Sequence, residues 1–541
     1  MEERAEWVPD GHFNSEMVWV MWGHWGQFQM RFLKETSMKP TSFERTTWND
    51  LTESGRIRQV LGLGSLIIFM LMVMVSASGL QAQTFTVLHD FALGTGANPT
   101  NPGIIAQGRD GSLYSTTVGG CGGFNLDGSV FRVSPAGVYK MVACLSTDAA
   151  LGGVYSGVTL GSDGNFYGTT YGGDYYGAVF KASAAGKVTF GKVFGARPNF
   201  ASPFAPPVLG LDGNWYGTVE EGGSNGCTYG FGGCGGMYKI ASSFKNYKQL
   251  DTLQQTNGAN PYSPLLLGSD GDFYGTTYQG GPGYPSGGVI FKMTPAGVHT
   301  VLYNLCALHN NCLDGANPLD GLVQGADGEF YGTASSGGTR TYAGASAGGL
   351  IFKVSSTGVY QVLYNFCSQT SCTDGNTPYG GLVLGSDGNF YGTTQAGGTH
   401  NYGTIFQLTP AGNLTVLYNF DSTTGSYPEG TLVQHTNGIL YGDTHNGGTT
   451  NYGTFFSLNL GLPPFAKLVT WWGKVGGTVG ILGQGFKHTT SVSFNGVPAT
   501  TFKAIGDTYI SATVPTGATS GPVTVVTATG TLTSSQSFQL Q

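Results

Sequence analysis

Short apolar runs broken by turn residues fill the chain from about residue 83 onward. One stretch shows the pattern: LVLG from Leu382, NFYGTT from Asn389, GTIFQLTP from Gly403 and LTVLYNF from Leu414. Runs of this length bounded by Gly, Pro, Asp and Ser predict β-strands. The first two flank Ser386-Asp387-Gly388, and Asp-Gly favours the positive φ of a tight hairpin. The last two flank Pro410-Ala411-Gly412, a second turn signal. Runs such as VIF at Val289 and LIF at Leu350 do not alternate strictly, which suits strands covered on both faces.

The hairpin recurs. Its turn stands at Asp110-Gly111, Asp163-Gly164, Asp212-Gly213, Asp270-Gly271, Asp327-Gly328, Asp387-Gly388 and Asn437-Gly438, at steps of 53, 49, 58, 57, 60 and 50 residues. A unit of that length marks a propeller or solenoid. Four short strands in each of seven units predict an all-β fold, a seven-bladed β-propeller. The ends fit a closed ring. FTVLHDF at Phe85 is a fourth-type strand with no unit before it, and YGTFFSLNL at Tyr452 is a third-type strand with no fourth after it. The first strand can complete the last blade and so remove an open edge. The unit's recurring Asp and Gly serve the turn. A calcium site on these Asp side chains is disfavoured, because calcium takes about six to eight oxygens.

Composition narrows the class. Only 10% of residues are charged, against roughly 25% in an ordinary globular protein. Glycine supplies 91 of 541 residues without a period of three, which excludes collagen. The net charge of −7 offers no basic surface, so a nucleic-acid partner is not expected. The apolar run Val60–Val75 follows Arg56 and Arg58 and precedes small residues, the layout of a secretory signal peptide with cleavage after Ala82. The alternative is an uncleaved anchor, the one predicted membrane contact. Residues 1–37 form an extension that is neither signal nor domain, and Met38 begins a more ordinary signal, so 38–82 is signal peptide or anchor. An exported location, extracellular, cell-surface or periplasmic, follows.

All eight cysteines lie beyond Ala82. An even count in an exported chain predicts disulfides. Cys227 with Cys234, Cys306 with Cys312 and Cys367 with Cys372 are natural close pairs, leaving Cys121 with Cys144. Zinc is disfavoured: there is no CxxC, and His309 between Cys306 and Cys312 lacks a nearby fourth ligand. No cofactor is predicted.

YGTIFQLTPAGNLTVLYNF, with GLVLGSDGNFYGTTQAGG, resembles the GloVer tandem repeat of bacterial exported proteins, over residues 83–460. Blade three, with LGLDGNWYGTVEEGG and MYKIASSFK, is the loosest copy. The resemblance implies export and often a surface anchor, and no established activity. The units also resemble NHL-type and lactonase-type propellers, at the level of a hairpin plus a turn. GQGF at Gly483, SVSFNGVPA at Ser491 and VPTGATSGPVTV at Val514 are similar to an IPT/TIG domain, an immunoglobulin-like β-sandwich, over 462–541. TWWGKVGG from Thr470 replaces that family's usual opening segment, which leaves its first strand open. The resemblance implies a spacer or binding module.

In such a meander the Ser-Asp-Gly and Pro-Ala-Gly turns share one face. The other face receives the long, variable loops, with the cysteines in them or at their edges. That face is the expected binding surface. Tyr171, Tyr175, Tyr176, Tyr278, Tyr284, Asn401, Tyr402, Asn451 and Tyr452 fall there, and Tyr171, Tyr176, Tyr278, Asn401, Tyr402, Asn451 and Tyr452 are the candidate binding residues. Tyr and Asn on rigid loops suit a polysaccharide or protein partner. The competing reading is that NYG simply starts a strand, its Tyr packed on the next blade. No catalytic residue is assigned. His309, His400 and His445 are single occurrences, and Asp314 and Asp374 read as turn chemistry. A non-catalytic recognition or scaffold protein is expected. The alternative is a lyase- or lactonase-like propeller enzyme, which should gather His and carboxylates at the axis. A binder should show exposed aromatics there.

Overall fold

The computed structural model describes residues 83–541, apart from 95, 100–103, 122–127, 146–152, 173–175, 196–198, 224–226, 228–232, 283–286, 308–311 and 340–347. It also describes the backbone of two short strands, Trp22–His24 and Gln27–Gln29, which pair antiparallel. These belong to a unit at Met1–Leu80, and the rest of the chain, from Gln81, is a second unit. The apolar run, the cleavage point, Tyr175, Tyr284 and His309 lie outside the described residues. Among the described residues no helix is long and apolar enough to cross a membrane.

Among the described residues, six four-stranded antiparallel sheets and one five-stranded sheet follow one another between Thr84 and Asn459; the first unit's extra strand is Ala97–Pro99. In one of them Val383–Leu384, Phe390–Thr394, Thr404–Leu408 and Leu414–Asn419 lie in sequence order. The last sheet takes its fourth strand from the start of the region: Thr84–Asp90 pairs with Thr454–Asn459. The chain is thus a β-propeller whose ends are tied by β-pairing.

The repeated phrase can be read residue by residue in the sheet just described. Gly388 sits at φ +82°, the left-handed region that an Asp-Gly turn requires. Asp387 clamps the turn by accepting from Asn389 N (3.2 Å) and from the Tyr391 hydroxyl (2.8 Å). Phe390 stacks under Tyr331 of the preceding unit, with centroids 4.1 Å apart. Gly392 lies on Phe406, where a Cβ would come within 2.6 Å of the ring. Thr393 donates to the Gly430 carbonyl of the following unit (3.5 Å). The phrase therefore builds the turn and both blade-to-blade joints.

The stacking repeats around the ring: Tyr114 on Phe166, Tyr167 on Trp215, Tyr216 on Phe273 and Tyr274 on Phe330, at 3.8–4.1 Å. Aliphatics replace the ring at the two remaining joints, where Tyr391 shares a core with Leu440 and Tyr441 with Leu113. The last joint also carries Gln107 Nε2 to Thr436 Oγ1 (2.8 Å), and His435 Nε2 facing the Gly111 carbonyl (3.0 Å). Replacing Tyr391 with phenylalanine keeps its ring in the core with Leu440 and removes the hydroxyl that donates to Asp387 and accepts from Gln407. It is expected to cost about 1–2 kcal/mol in denaturant unfolding; no loss would show that ring packing alone secures the turn.

A second joint lies on the long-loop face. Asn98, Ser202, Asn260, Asn317, Thr377 and Tyr427 each precede a proline and sit at φ between 52° and 59°. Each backbone N–H reaches back to the preceding unit, as Ser202 does to the Tyr176 carbonyl (2.8 Å), Tyr427 to Tyr402 (3.2 Å) and Asn98 to Tyr452 (2.9 Å). Positive φ before proline is strained, and it recurs at the same joint.

Four disulfides close the loops: Cys121–Cys144, Cys227–Cys234, Cys306–Cys312 and Cys367–Cys372. They bear out the pairing read from the spacing and mark an exported protein. Asp314 and Asp374 act beside them as loop clamps. Asp374 accepts from Tyr364 Oη, Ser368 N and Ser368 Oγ at 2.7–2.8 Å, and Asp314 from Tyr303 Oη and Ala307 N at 2.9–3.0 Å.

The C-terminal segment is a two-sheet sandwich. Lys467–Leu468, Thr478–Leu482, Tyr509–Thr513 and Phe502–Ala504 face Val497–Pro498, Ser491–Phe494, Val523–Thr527 and Gly530–Thr533 across a core that includes Ile481, Phe494, Ile510, Val523 and Phe538. The start left open by the sequence is two short strands: Lys467–Leu468, and Trp472–Gly473, which runs parallel to Gln539–Leu540.

This sandwich sits on the short-turn face of the propeller. Thr508 Oγ1 donates to the Arg109 carbonyl (2.7 Å), and the Arg109 guanidinium lies 4.5 Å over the Tyr509 ring. Gln484 Nε2 bonds Thr436 Oγ1 (2.9 Å), and Gln539 Nε2 bonds the Ser269 carbonyl (3.0 Å). Thr436 and Arg109 belong to the last and first units and Ser269 to the fourth, across the ring, so the sandwich spans the short-turn side of the axis. None of these contacts falls on the long-loop side.

Candidate functional site: the axial mouth

The innermost strand of each unit is only two residues long, and the segment leading into it brings side chains from different units together. Asp320 shows how close these segments approach. Its carboxylate accepts from Gly321 N (2.6 Å), from Gly381 N of the next unit (2.8 Å) and from Thr431 Oγ1 of the unit after that. Contact with three successive units requires a place at the axis. Burial pushes the Asp320 carboxyl up from the ordinary range, against the pull of these donors.

Above this level two kinds of side chain line the mouth. On one side five rings form an unbroken chain. Tyr171 meets Tyr155 (5.4 Å) and Phe204 (5.0 Å), Phe204 meets Tyr262 (4.9 Å), and Tyr262 meets Tyr278 (5.2 Å), all near edge-to-face. Each ring is partly exposed. Glu220 is set among them, accepting from the Tyr262 hydroxyl (2.7 Å) and also from Tyr171. Burial first, then the charge of Glu220, push both tyrosines above their usual value, so their hydroxyls stay protonated donors.

On the other side the last two units contribute Gln395, Glu429, Asp443 and His445. Gln395 Nε2 donates to Glu429 Oε1 (2.5 Å), and His445 Nδ1 lies 3.8 Å from Glu429 Oε2. Asp443 departs from the repeat: YGDT stands where the first unit has YSTT and the others YGTT, YGTV or YGTA, all with Thr at the third place. In the others the threonine hydroxyl donates to an inner-segment carbonyl of the next blade, as Thr218 does to Ser263 (3.1 Å) and Thr333 to Gly380 (3.2 Å). Asp443 is 4% exposed, and its Oδ2 has no hydrogen-bond partner among the described residues. Burial, and then the charge of Glu429, push its carboxyl up to about 8. It is a neutral acid in a threonine's place. No group of three metal-ligating side chains occurs among the described residues.

The structure divides the sequence candidates. Tyr171 and Tyr278 are at the mouth. Tyr176, Tyr402 and Tyr452 are the blade joints that accept from Ser202, Tyr427 and Asn98. Asn401 and Asn451 sit at φ 61° and 60°, each accepting from a loop glycine, Gly397 (3.0 Å) and Gly447 (3.1 Å), so their side chains are committed to the loop. In both copies of NYG the Asn side chain serves its own loop and the Tyr backbone carbonyl serves the joint. Tyr452 also lines a cavity of about 270 Å³ at the closing joint, with Leu93, Ala97, Asn98, Val118 and Gly119. Of the histidines, His445 reaches the mouth and His400 is exposed beside Thr399. The sequence reading passed over Tyr155, Phe204, Glu220, Tyr262, Glu429 and Asp443. The change from Thr to Asp at 443 is the one signal that could have pointed to this group.

Fold and site together define an exported, disulfide-stapled repeat propeller, backed by an immunoglobulin-like module, with an aromatic and acidic axial mouth. The family model of the Gloeobacter/Verrucomicrobia repeat matches residues 175–383 and 309–491, together more than half of the chain, and the chain belongs to that repeat family. The IPT/TIG domain model matches 464–541. A comparison with curated proteins finds no match. Among solved structures, the chain is similar to the extracellular domain of a B. thetaiotaomicron protein described as a one-component system: 11% identity, 70% of this chain, 40% of that chain, TM-score 0.41. It therefore spans about two fifths of that structure's length. It is also similar to a gluconolactonase from Xanthomonas campestris: 12% identity, 72% of this chain, 92% of that chain, TM-score 0.34. No activity is carried over from either.

Proposed function

We propose that this protein is an exported recognition protein that binds a polysaccharide at the axial mouth of its propeller, with the IPT/TIG-like module as its base. The five-ring chain around Glu220 carries this reading. Rings offer flat apolar area to sugar faces, and a carboxylate flanked by hydroxyls accepts and donates to sugar hydroxyls. The propeller at 83–460 and the module at 462–541 act as one receptor, held outside the cell by cleavage after Ala82 or by an uncleaved Val60–Val75 anchor. The test is a panel of extracellular polysaccharides against the full exported chain. Phe204→Ala and Tyr262→Ala are expected to weaken binding at least about tenfold, while Tyr402→Ala, at a joint, leaves it unchanged. Binding that survives both mouth variants would move recognition elsewhere.

A second reading, a lyase- or lactonase-like enzyme, is favoured by one observation: a protonated Asp443 close to Glu429, which itself lies beside His445. Turnover of a bound glycan or lactone that Asp443→Asn abolishes would support it.

A further inference from the structure

The charge around the mouth is one-sided. Glu220, Glu221 and Glu429 stand at or beside it, and no described lysine or arginine does. The propeller's described basic residues lie on third and fourth strands and in short turns. There Arg132, Lys239 and Lys292 pair with Asp110, Asp212 and Asp270 at 2.6–3.0 Å, and Arg109 reaches the Ser162 carbonyl (2.6 Å). Among the described residues, then, the paired cations are tied to the short-turn Asp residues and the mouth carries carboxylates; Arg197 and Arg340 lie outside the described residues. Two further features bear on the ligand. The rings beside Glu220 present π-faces and edges, and π-faces attract ammonium groups. Asp443 Oδ2, nine-tenths buried beside Glu429, has no hydrogen-bond partner among the described residues and is left for a polar group of the ligand.

We infer that the glycan taken at the axial mouth carries free amino groups, an amino-sugar polymer of the glucosamine type, and that anionic uronate polymers are excluded. This rests on the polysaccharide reading above and narrows it. The rings hold sugar faces while an ammonium group pairs with Glu220 on one side or Glu429 on the other. A polyanion would bring carboxylates against Glu220 and Glu429 with no described lysine or arginine between them, a like-charge contact that works as rejection.

The experiment is calorimetric titration of the full exported chain with glucosamine oligomers, N-acetylglucosamine oligomers of the same length and polygalacturonate. Glucosamine oligomers are expected to bind at least about tenfold more tightly than the acetylated ones. That preference should shrink with added salt and fall in both Glu220→Gln and Glu429→Gln, each checked for an unchanged melting curve. Equal affinity for acetylated and free-amine oligomers, or preference for polygalacturonate, overturns the inference and leaves the polysaccharide reading standing. Absence of binding to any glycan overturns both. A preference that neither Gln variant reduces overturns the assignment to this mouth.

Discussion

Replacing Asp443 with threonine is expected to stabilise the propeller, and to do so more at pH 8 than at pH 5. Burial and then the Glu429 charge raise the Asp443 carboxyl to about 8, whereas an unfolded chain releases that proton near pH ~4. A carboxyl raised on folding contributes stability that is fully present below the unfolded value. That contribution is lost as pH rises through about 8. At neutral pH and above the buried acid is therefore a liability. Threonine restores the hydroxyl donor that other units carry at this position. Each pKa unit is worth about 1.4 kcal/mol, so the gain at pH 8 is on the order of a few kcal/mol, or roughly 3–6 °C in melting temperature. It should shrink toward zero near pH 4. Scanning calorimetry of Asp443→Thr and Asp443→Asn at both pH values is the check. A shift independent of pH would show that the side chain's shape matters and its proton does not. A residue that costs stability where its neighbours gain it is the kind of exception a functional site leaves behind. The stabilised variant is accordingly expected to bind its ligand less well.

That exception marks the limit of what the chain discloses in advance. The blades are legible because each residue of the phrase acts locally: Asp387 clamps its own turn, Gly388 supplies its φ, and Tyr391 reaches back four residues. The disulfides are legible because three of the four pairs join residues close in sequence. Ring closure is legible because a strand without a unit stands at one end and a unit without a strand at the other. The mouth obeys a different rule. Tyr155, Phe204, Tyr262 and Glu429 precede the inner strands of four different units, and nothing in their local sequence brings them together. The curvature of the ring does so, through joints such as Ser202 to Tyr176. Recurrence was informative about structure. NYG drew attention because it occurs twice, and twice it places an Asn at positive φ where the turn needs one. The residues that differ between copies, Asp443 and Glu429, are those the repeat cannot account for.

Removing the strand Thr84–Asp90 is expected to have the larger effect, because one short segment carries the closure of the ring. It pairs with Thr454–Asn459 through six residue positions. Phe85 stacks on Tyr418 at 3.7 Å and lies 5.3 Å from Phe456. Just after it, Phe91 donates its N–H to Gly453 O (3.0 Å). Without the strand, Thr454–Asn459 becomes an exposed edge, open to pairing with another chain, and the aromatic layer over Phe456 loses its cover. A chain lacking residues 84–90 should lose its single sharp melting transition and aggregate on concentration. A graded version is Phe85→Ala, expected to cost about 2–4 kcal/mol. Removal of Gln539–Leu540 is the control, since it takes β-pairing from the sandwich and leaves the ring intact. If the truncated ring still melts as one unit at the parent's temperature, closure is carried by the side-chain joints of the first and last units, Gln107 with Thr436 and Gly111 with His435. If it does not, this strand carries the closure, and any cut within residues 84–90 would open the ring, and with it the mouth that depends on the ring's curvature.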